Sequence, residues 1–197
     1  MKTLAVTQRV DISEENERRD SIDQRWYTFL HASGFLPLLI PNNPDIACNI
    51  LKLYKPDGIL LTGGNDLPHL GGNVFERDKT EIALLEYALN KKLPLLGVCR
   101  GMELIQNYFG VKLFKISCHV GTHKILIDGH EREVNSFHNY GTTDTVKELQ
   151  IVARAGDGIV EAIKHIQFPV KGLMWHPERK EPFSEDDKNI FRDMVLV

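Results

Sequence analysis

The chain has 197 residues, 42% hydrophobic and 26% charged, with a formal net charge of −3, which suits a globular domain with its own core and excludes a disordered or fibrous chain. The mildly acidic balance argues against a nucleic-acid binder, whose phosphate contacts need clustered Lys and Arg. The first apolar run meets Arg9 and Asp11 too early for a signal core, no later stretch approaches a membrane span, and the three cysteines Cys48, Cys99 and Cys118 are scattered; a reducing, cytoplasmic setting without membrane contact is therefore expected.

In chain order, Thr3 to Thr7 and Phe35 to Ile40 read as apolar strands, with Ile22, Trp26, Phe29 and Leu30 at helical spacing between them and Gly34 closing that helix. The stretch from Arg9 to Arg25 holds Arg9, Arg18, Arg19 and Arg25, but Glu14, Glu15, Glu17, Asp20 and Asp23 are interleaved, so it reads as a solvated charged face. A helix from Asp45 to Lys55 precedes the strand DGILL, and another from about Asp78 to Asn90 leads into PLLGV. Near-continuous apolar strands alternating with amphipathic helices predict a mostly parallel sheet covered on both faces. Beyond Gly110 the segments HKILI, LQIVARA, DGIVEAI and KGLMW are short and separated by turn residues, and they predict added strands, some antiparallel. Ser184 followed by Asp187 has capping-box spacing ahead of a last helix with Ile190, Phe191 and Met194 on one stripe. No linker or repeat divides the chain, so a single domain over 1–197 is expected.

The most informative segment is PLLGVCRGMELIQNYFG, in which a strand runs through Gly97 into Cys99 and a helix starts at Arg100. The form strand, G-x-C-x-G, helix is the cysteine version of a nucleophile elbow: small flanking residues let strand and helix approach while the nucleophile sits on a sharp turn. The helix N-terminus favours thiolate, so Cys99 is expected to be partly activated before a base acts. The Arg100 backbone N–H and the Gly64 N–H of the TGGND turn are candidate oxyanion donors. In GLMWHPE, His176 is the candidate base and Glu178 its orienting partner, two apart on a segment read as extended and so on one side of it. His119 and His123 are set aside as a metal pair because the glycine between them and the strand-like sequence after them do not suit helical ligands and no companion ligands are evident. His31, His69, His130 and His165 have no companion motif.

Taken together, DGILLTGGNDLPH, RDKTE, PLLGVCRGMELIQ, NSFHNYG, DGIVEAI and GLMWHPE, in that order, resemble the class I glutamine amidotransferase-like family, in particular its free-standing γ-glutamyl hydrolases. The resemblance implies a flavodoxin-like sheet, a Cys99, His176 and Glu178 triad, a thioester on Cys99 and release of glutamate without a cofactor, a metal or an obligatory synthase subunit. It also implies that Gly63, Ser136, Phe137 and His138 lie beside a small γ-glutamyl substrate. Glu103 stands where the family usually has Gln, and it is expected to meet the substrate's α-ammonium or tune the charge of the site. Within the family the chain looks most like the branch that frees cytidine diphosphoramidate from a γ-glutamyl conjugate for capsule modification. The alternatives are hydrolysis of another γ-glutamyl amine, such as γ-glutamyl-GABA, and service as the glutaminase half of an amidotransferase.

Overall fold

The computed structural model describes residues 1–195. In chain order the elements are β1 (Lys2–Thr7), β2 (Arg9–Ile12), β3 (Arg18–Ser21), α1 (Arg25–Ala32), β4 (Phe35–Ile40), α2 (Pro44–Tyr54), β5 (Gly58–Leu61), α3 (Phe75–Lys91), β6 (Leu95–Val98) and α4 (Arg100–Tyr108). There follow β7 (Phe114–Lys115), β8 (Val120–Ile127), β9 (His130–Phe137), β10 (Tyr140–Gly141), β11 (Leu149–Ala155), β12 (Val160–His165), β13 (Val170–Leu173) and α5 (Glu185–Met194).

A nine-stranded sheet runs in the order β4-β1-β5-β6-β13-β12-β11-β8-β9. From β4 to β13 neighbours are parallel; from β13 to β9 they are antiparallel. This is the expected α/β architecture, a parallel core with added antiparallel strands. The chemical reason is visible in the burial: all four residues of β5 and of β6 are buried, as strands covered on both faces must be. One face packs Ala47 and Leu51 of α2, Leu84, Leu85 and Ala88 of α3, and Met102 and Ile105 of α4. The other packs Trp26, Phe29 and Leu30 of α1 with Phe191 and Met194 of α5. Among the described residues no helix is long and apolar enough to cross a membrane.

Arg9 to Ser21 forms the hairpin β2–β3, a largely exposed charged face as expected, with Arg9 paired to Asp11 and Arg19 to Glu17. Other local expectations need correction. Helix α3 starts at Phe75, three residues before Asp78, because Val74 is buried at its N-cap and takes the chain into the core. Ser184 does start α5, but its side chain caps no backbone N–H. Asp187 is instead drawn into the interior, where its Oδ1 accepts from the Trp175 indole N–H (2.9 Å) and from Arg132 (2.5 Å). A buried indole N–H needs an acceptor, and Asp187 is the one in reach.

Candidate active site

Three neighbouring parallel strands end at one edge of the sheet, and each delivers a part of the site. The turn after β5 carries Thr62, Gly63 and Gly64; β6 ends at Cys99; the segment after β13 carries His176 and Glu178. Ligands and catalytic groups gather at the carboxyl ends of such strands because the following loops converge there.

Cys99 sits on the elbow with φ 53° and ψ −111°, a conformation that costs a non-glycine residue about 1–3 kcal/mol. The surroundings hold it there. Its N–H donates to the Leu173 carbonyl (2.7 Å) and its carbonyl accepts from the Glu103 N–H (3.0 Å). A Cβ added to Gly97 would lie 2.5 Å from the Gly101 backbone, and one on Gly101 would collide with the Leu61 carbonyl. Both glycines are therefore required by close approach of β6, α4 and β5.

His176 lies across Gly63 from Cys99: a Cβ on Gly63 would be 2.8 Å from the imidazole Cε1 and 3.4 Å from the Cys99 Cβ. The His176 Nδ1 is 2.7 Å from Glu178 Oε1. A carboxylate can only accept, so Nδ1 carries the proton and Nε2 presents its lone pair. His176 and Glu178 do not sit on an extended segment as the sequence predicted. Pro177–Arg179 forms a 3-10 turn, for which the fixed φ of Pro177 is equally suited, and the turn folds Glu178 back onto the ring. Asn135 of β9 holds the His176 backbone at both polar groups, accepting from its N–H and donating to its carbonyl at 2.7 Å each. Sequence reading did not single out Asn135.

A cavity of about 260 Å³ opens beside Cys99, lined by Gly64, Cys99, Arg100, Glu103, Phe137 and His138 among others. Gly63 lies on a second opening, beyond the imidazole, that also touches Arg9, Trp26, His176 and Arg179. Ser136 is buried and turned from the cavity, its hydroxyl donating to the His119 carbonyl (2.6 Å). Phe137 packs edge-on to His176, with ring centres 5.6 Å apart, and Arg179 lies over the Phe137 ring.

The electrostatics overturn one expectation. Cys99 is not activated at rest: burial, then the nearby Glu103 carboxylate, hold its thiol well above the ordinary range, and the hydrogen bond from the Arg100 backbone N–H only partly offsets them. Desolvation of a site that is only 7% exposed outweighs the helix N-terminus. Burial likewise pushes the Glu103 carboxyl up to about 7.

Behind the turn lies a buried ionic network that the sequence did not disclose. Arg77 donates to the carbonyls of Thr62 (2.6 Å), Gly63 (3.1 Å) and Gly64, and its Nε to Glu81 (2.9 Å). Glu81 also accepts from the Thr7 hydroxyl, and it shares the buried Arg100 guanidinium with Asp78. Because the Gly63–Gly64 peptide is trans, anchoring its carbonyl on Arg77 directs the Gly64 N–H the opposite way. A signal was present: Arg77, Asp78 and Glu81 of RDKTE share a helix with the core residues Leu84, Leu85 and Ala88, and Arg77 and Glu81 are one turn apart. The fold also brings His119, His123 and Glu161 together beside His138, which lines the cavity, supplying the companions that the pair His119 and His123 lacked in sequence.

The profile of the glutamine amidotransferase class-I family matches residues 19–196. The chain is 31% identical to the γ-glutamyl-CDP-amidate hydrolase of Campylobacter jejuni over 90% of each chain. It is 29% identical to a component of the glutamine-hydrolyzing GMP synthase of Thermococcus kodakarensis over 86% of this chain and 89% of that one. A glutamine amidotransferase structure from Thermotoga maritima superimposes with a TM-score of 0.72 at 15% identity, covering 98% of this chain and 84% of that chain, a likeness of fold. With the family profile spanning the elbow, the β5 turn and the His176 segment alike, the chain belongs to the class-I glutamine amidotransferase family.

Proposed function

We propose that the protein is a cysteine-dependent γ-glutamyl hydrolase with Cys99 as nucleophile, His176 as base and Glu178 as its orienting partner. The observation that carries this reading is the placement of Cys99 and His176 on either side of Gly63, with the imidazole tautomer held by Glu178. The Cys99 thiol is neutral at rest, so its proton passes to His176 Nε2 as sulfur attacks the γ-carbonyl carbon. The developing oxyanion takes hydrogen bonds from the Arg100 and Gly64 N–H groups, the latter aimed by the Arg77 anchor. His176 returns the proton to the leaving nitrogen, a thioester remains on Cys99, and a water deprotonated by His176 releases glutamate.

Glu103 faces the same cavity and meets the α-ammonium of the glutamyl group. That pairing would offset the negative charge that disfavours thiolate, so substrate binding itself readies the nucleophile. The backbone around Phe137 and His138 takes the α-carboxylate. Gly63 forms the floor between nucleophile and base.

The leaving group is a nucleotide phosphoramidate, most simply cytidine diphosphoramidate for capsule modification. The Campylobacter relative supports this, as do Arg9 and Arg179 on the opening beyond His176, where guanidinium groups suit phosphate oxygens. The chain works alone, as a single domain in the cytoplasm. A second reading, a glutaminase component serving a synthase, is favoured by the Thermococcus relative.

Glutamate release from a panel of γ-glutamyl amides, including a nucleotide phosphoramidate and glutamine, tests these readings. Cys99→Ala and His176→Ala are each expected to lower the rate by about 10³-fold or more. Equal turnover in wild type and Cys99→Ala would remove the mechanism. Preference for a simple γ-glutamyl amine would remove only the nucleotide, and activity that appears only with a co-purifying synthase would favour the second reading.

A further inference from the structure

Beside the cavity, reaching its wall at His138 and used by no step above, four polar side chains converge from three strand segments. His119 precedes β8, His123 lies within it, His138 follows β9, and Glu161 lies in β12. Glu161 is fully buried, and neither carboxylate oxygen has a hydrogen-bond partner; the two ring nitrogens of His123 are likewise unpartnered. A carboxylate taken out of water in this way costs several kcal/mol unless something compensates its charge.

The outer contacts define where the lone pairs point. His119 Nε2 is 3.0 Å from Asp157 Oδ2, and His138 Nδ1 is 2.9 Å from the Tyr140 carbonyl. Both partners only accept, so the outer nitrogen of each ring carries a proton, and in the neutral imidazole the inward nitrogen offers a lone pair. The inward nitrogens, His119 Nδ1 and His138 Nε2, are 3.3 Å apart. Glu161 Oε1 is 3.0 Å from the first, 3.4 Å from the second and 3.4 Å from His123 Nε2. Electron pairs facing one another around a carboxylate repel unless a positive charge, a proton on a ring nitrogen or a bound cation, lies among them.

The spacing matches one kind of positive charge. Zinc binds imidazole nitrogen and carboxylate oxygen at about 2.0–2.1 Å, so donor atoms of a tetrahedral site lie about 3.3–3.4 Å from one another. The three separations among His119 Nδ1, His138 Nε2 and Glu161 Oε1 run from 3.0 to 3.4 Å. Two imidazoles and one carboxylate select a transition metal of zinc type over magnesium or calcium, which take mainly oxygen. Asp157 and the Tyr140 carbonyl supply the hydrogen bonds that orient ligand histidines.

We propose that His119, His138 and Glu161 bind one divalent transition-metal ion of zinc class. The ion ties the β8–β9 ribbon to β12 and sets the position of His138 on the cavity wall. It takes no part in the thiol chemistry, and its presence does not depend on the identity of the substrate.

The test uses the full chain, stripped with a chelator, dialysed and titrated with Co²⁺ alone. Visible ligand-field absorption should saturate at one Co²⁺ per chain and collapse on adding Zn²⁺. It should persist in Cys99→Ala and Cys118→Ser, which excludes the exposed thiol beside His119. In Glu161→Gln and His119→Asn the affinity should fall by about tenfold or more, with circular dichroism confirming that each variant is folded. As a second measurement that needs no variant, excess Zn²⁺ should raise the Tm of the stripped wild-type protein, since a ligand bound only by the native state stabilises it. The proposal is overturned by any of three results: no saturable band and no rise in Tm in the wild-type protein, a band lost in Cys118→Ser, or undiminished affinity in a folded Glu161→Gln.

Discussion

Glu103 has the most consequential environment of any single residue in the site. It lies in the first turn of α4, 4% exposed, beside a thiol that its charge makes harder to ionise. Its carboxyl is held near 7, chiefly by burial, against an ordinary value of 4.5. An acid raised on folding keeps a proton that the unfolded chain has released, so its contribution to stability falls as pH rises from about 4.5 to about 7 and is lowest above that. Glu103→Gln should therefore match the wild type in stability at pH 4 and exceed it at pH 8 by on the order of 3 kcal/mol. Urea unfolding at the two pH values reads this directly, and a difference that does not change with pH would contradict it. In the same variant Cys99 should be alkylated faster by iodoacetamide at neutral pH, because a negative charge beside the sulfur has been removed.

At the scale of elements, the site depends on how closely β5, β6 and α4 approach. Gly101 is the tightest point, its missing Cβ facing the Leu61 carbonyl one residue before the turn that carries Thr62 to Gly64. Backbone cannot yield as the end of a flexible side chain can, so Gly101→Ala must push α4 away from β5. Such overpacking costs about 1–3 kcal/mol. It should also lower kcat more than it raises KM, since the displacement separates the Arg100 and Gly64 N–H groups proposed as oxyanion donors, and such hydrogen bonds strengthen in the transition state. A variant destabilised by this amount with unchanged kcat would show that the oxyanion donors lie elsewhere. The elbow was legible in G-x-C-x-G because the motif is local. The Arg77, Glu81 and Arg100 network was not, because its meaning depends on which carbonyls α3 faces after packing.

For the whole molecule, the candidate site lies at the carboxyl edge of the parallel strands. A helix that follows such a strand runs back along the sheet, so the C-terminal half of α2 lies toward the opposite edge. Leu51, fully buried there in the core, offers a separation of stability from function. Leu51→Ala should lower the free energy of unfolding by about 2–5 kcal/mol while leaving kcat/KM within about twofold of wild type at temperatures where the protein stays folded. A large fall in kcat/KM under those conditions would mean that the two edges are coupled.

The sequence by itself determined the alternation of apolar strands and amphipathic helices, the elbow at Cys99 and the pairing of His176 with Glu178, because each is a pattern within a few residues of chain. Tertiary structure alone decided the rest. The protonation of Cys99 follows from its burial beside Glu103, which no helix N-terminus in isolation reveals. The 3-10 turn at Pro177 and the diversion of Asp187 from its helix cap follow from contacts with distant side chains. His119, His138 and Glu161 meet only because β8, β9 and β12 fold into one sheet, and a charge or lone pair acquires its energy from what surrounds it, not from its neighbours in sequence.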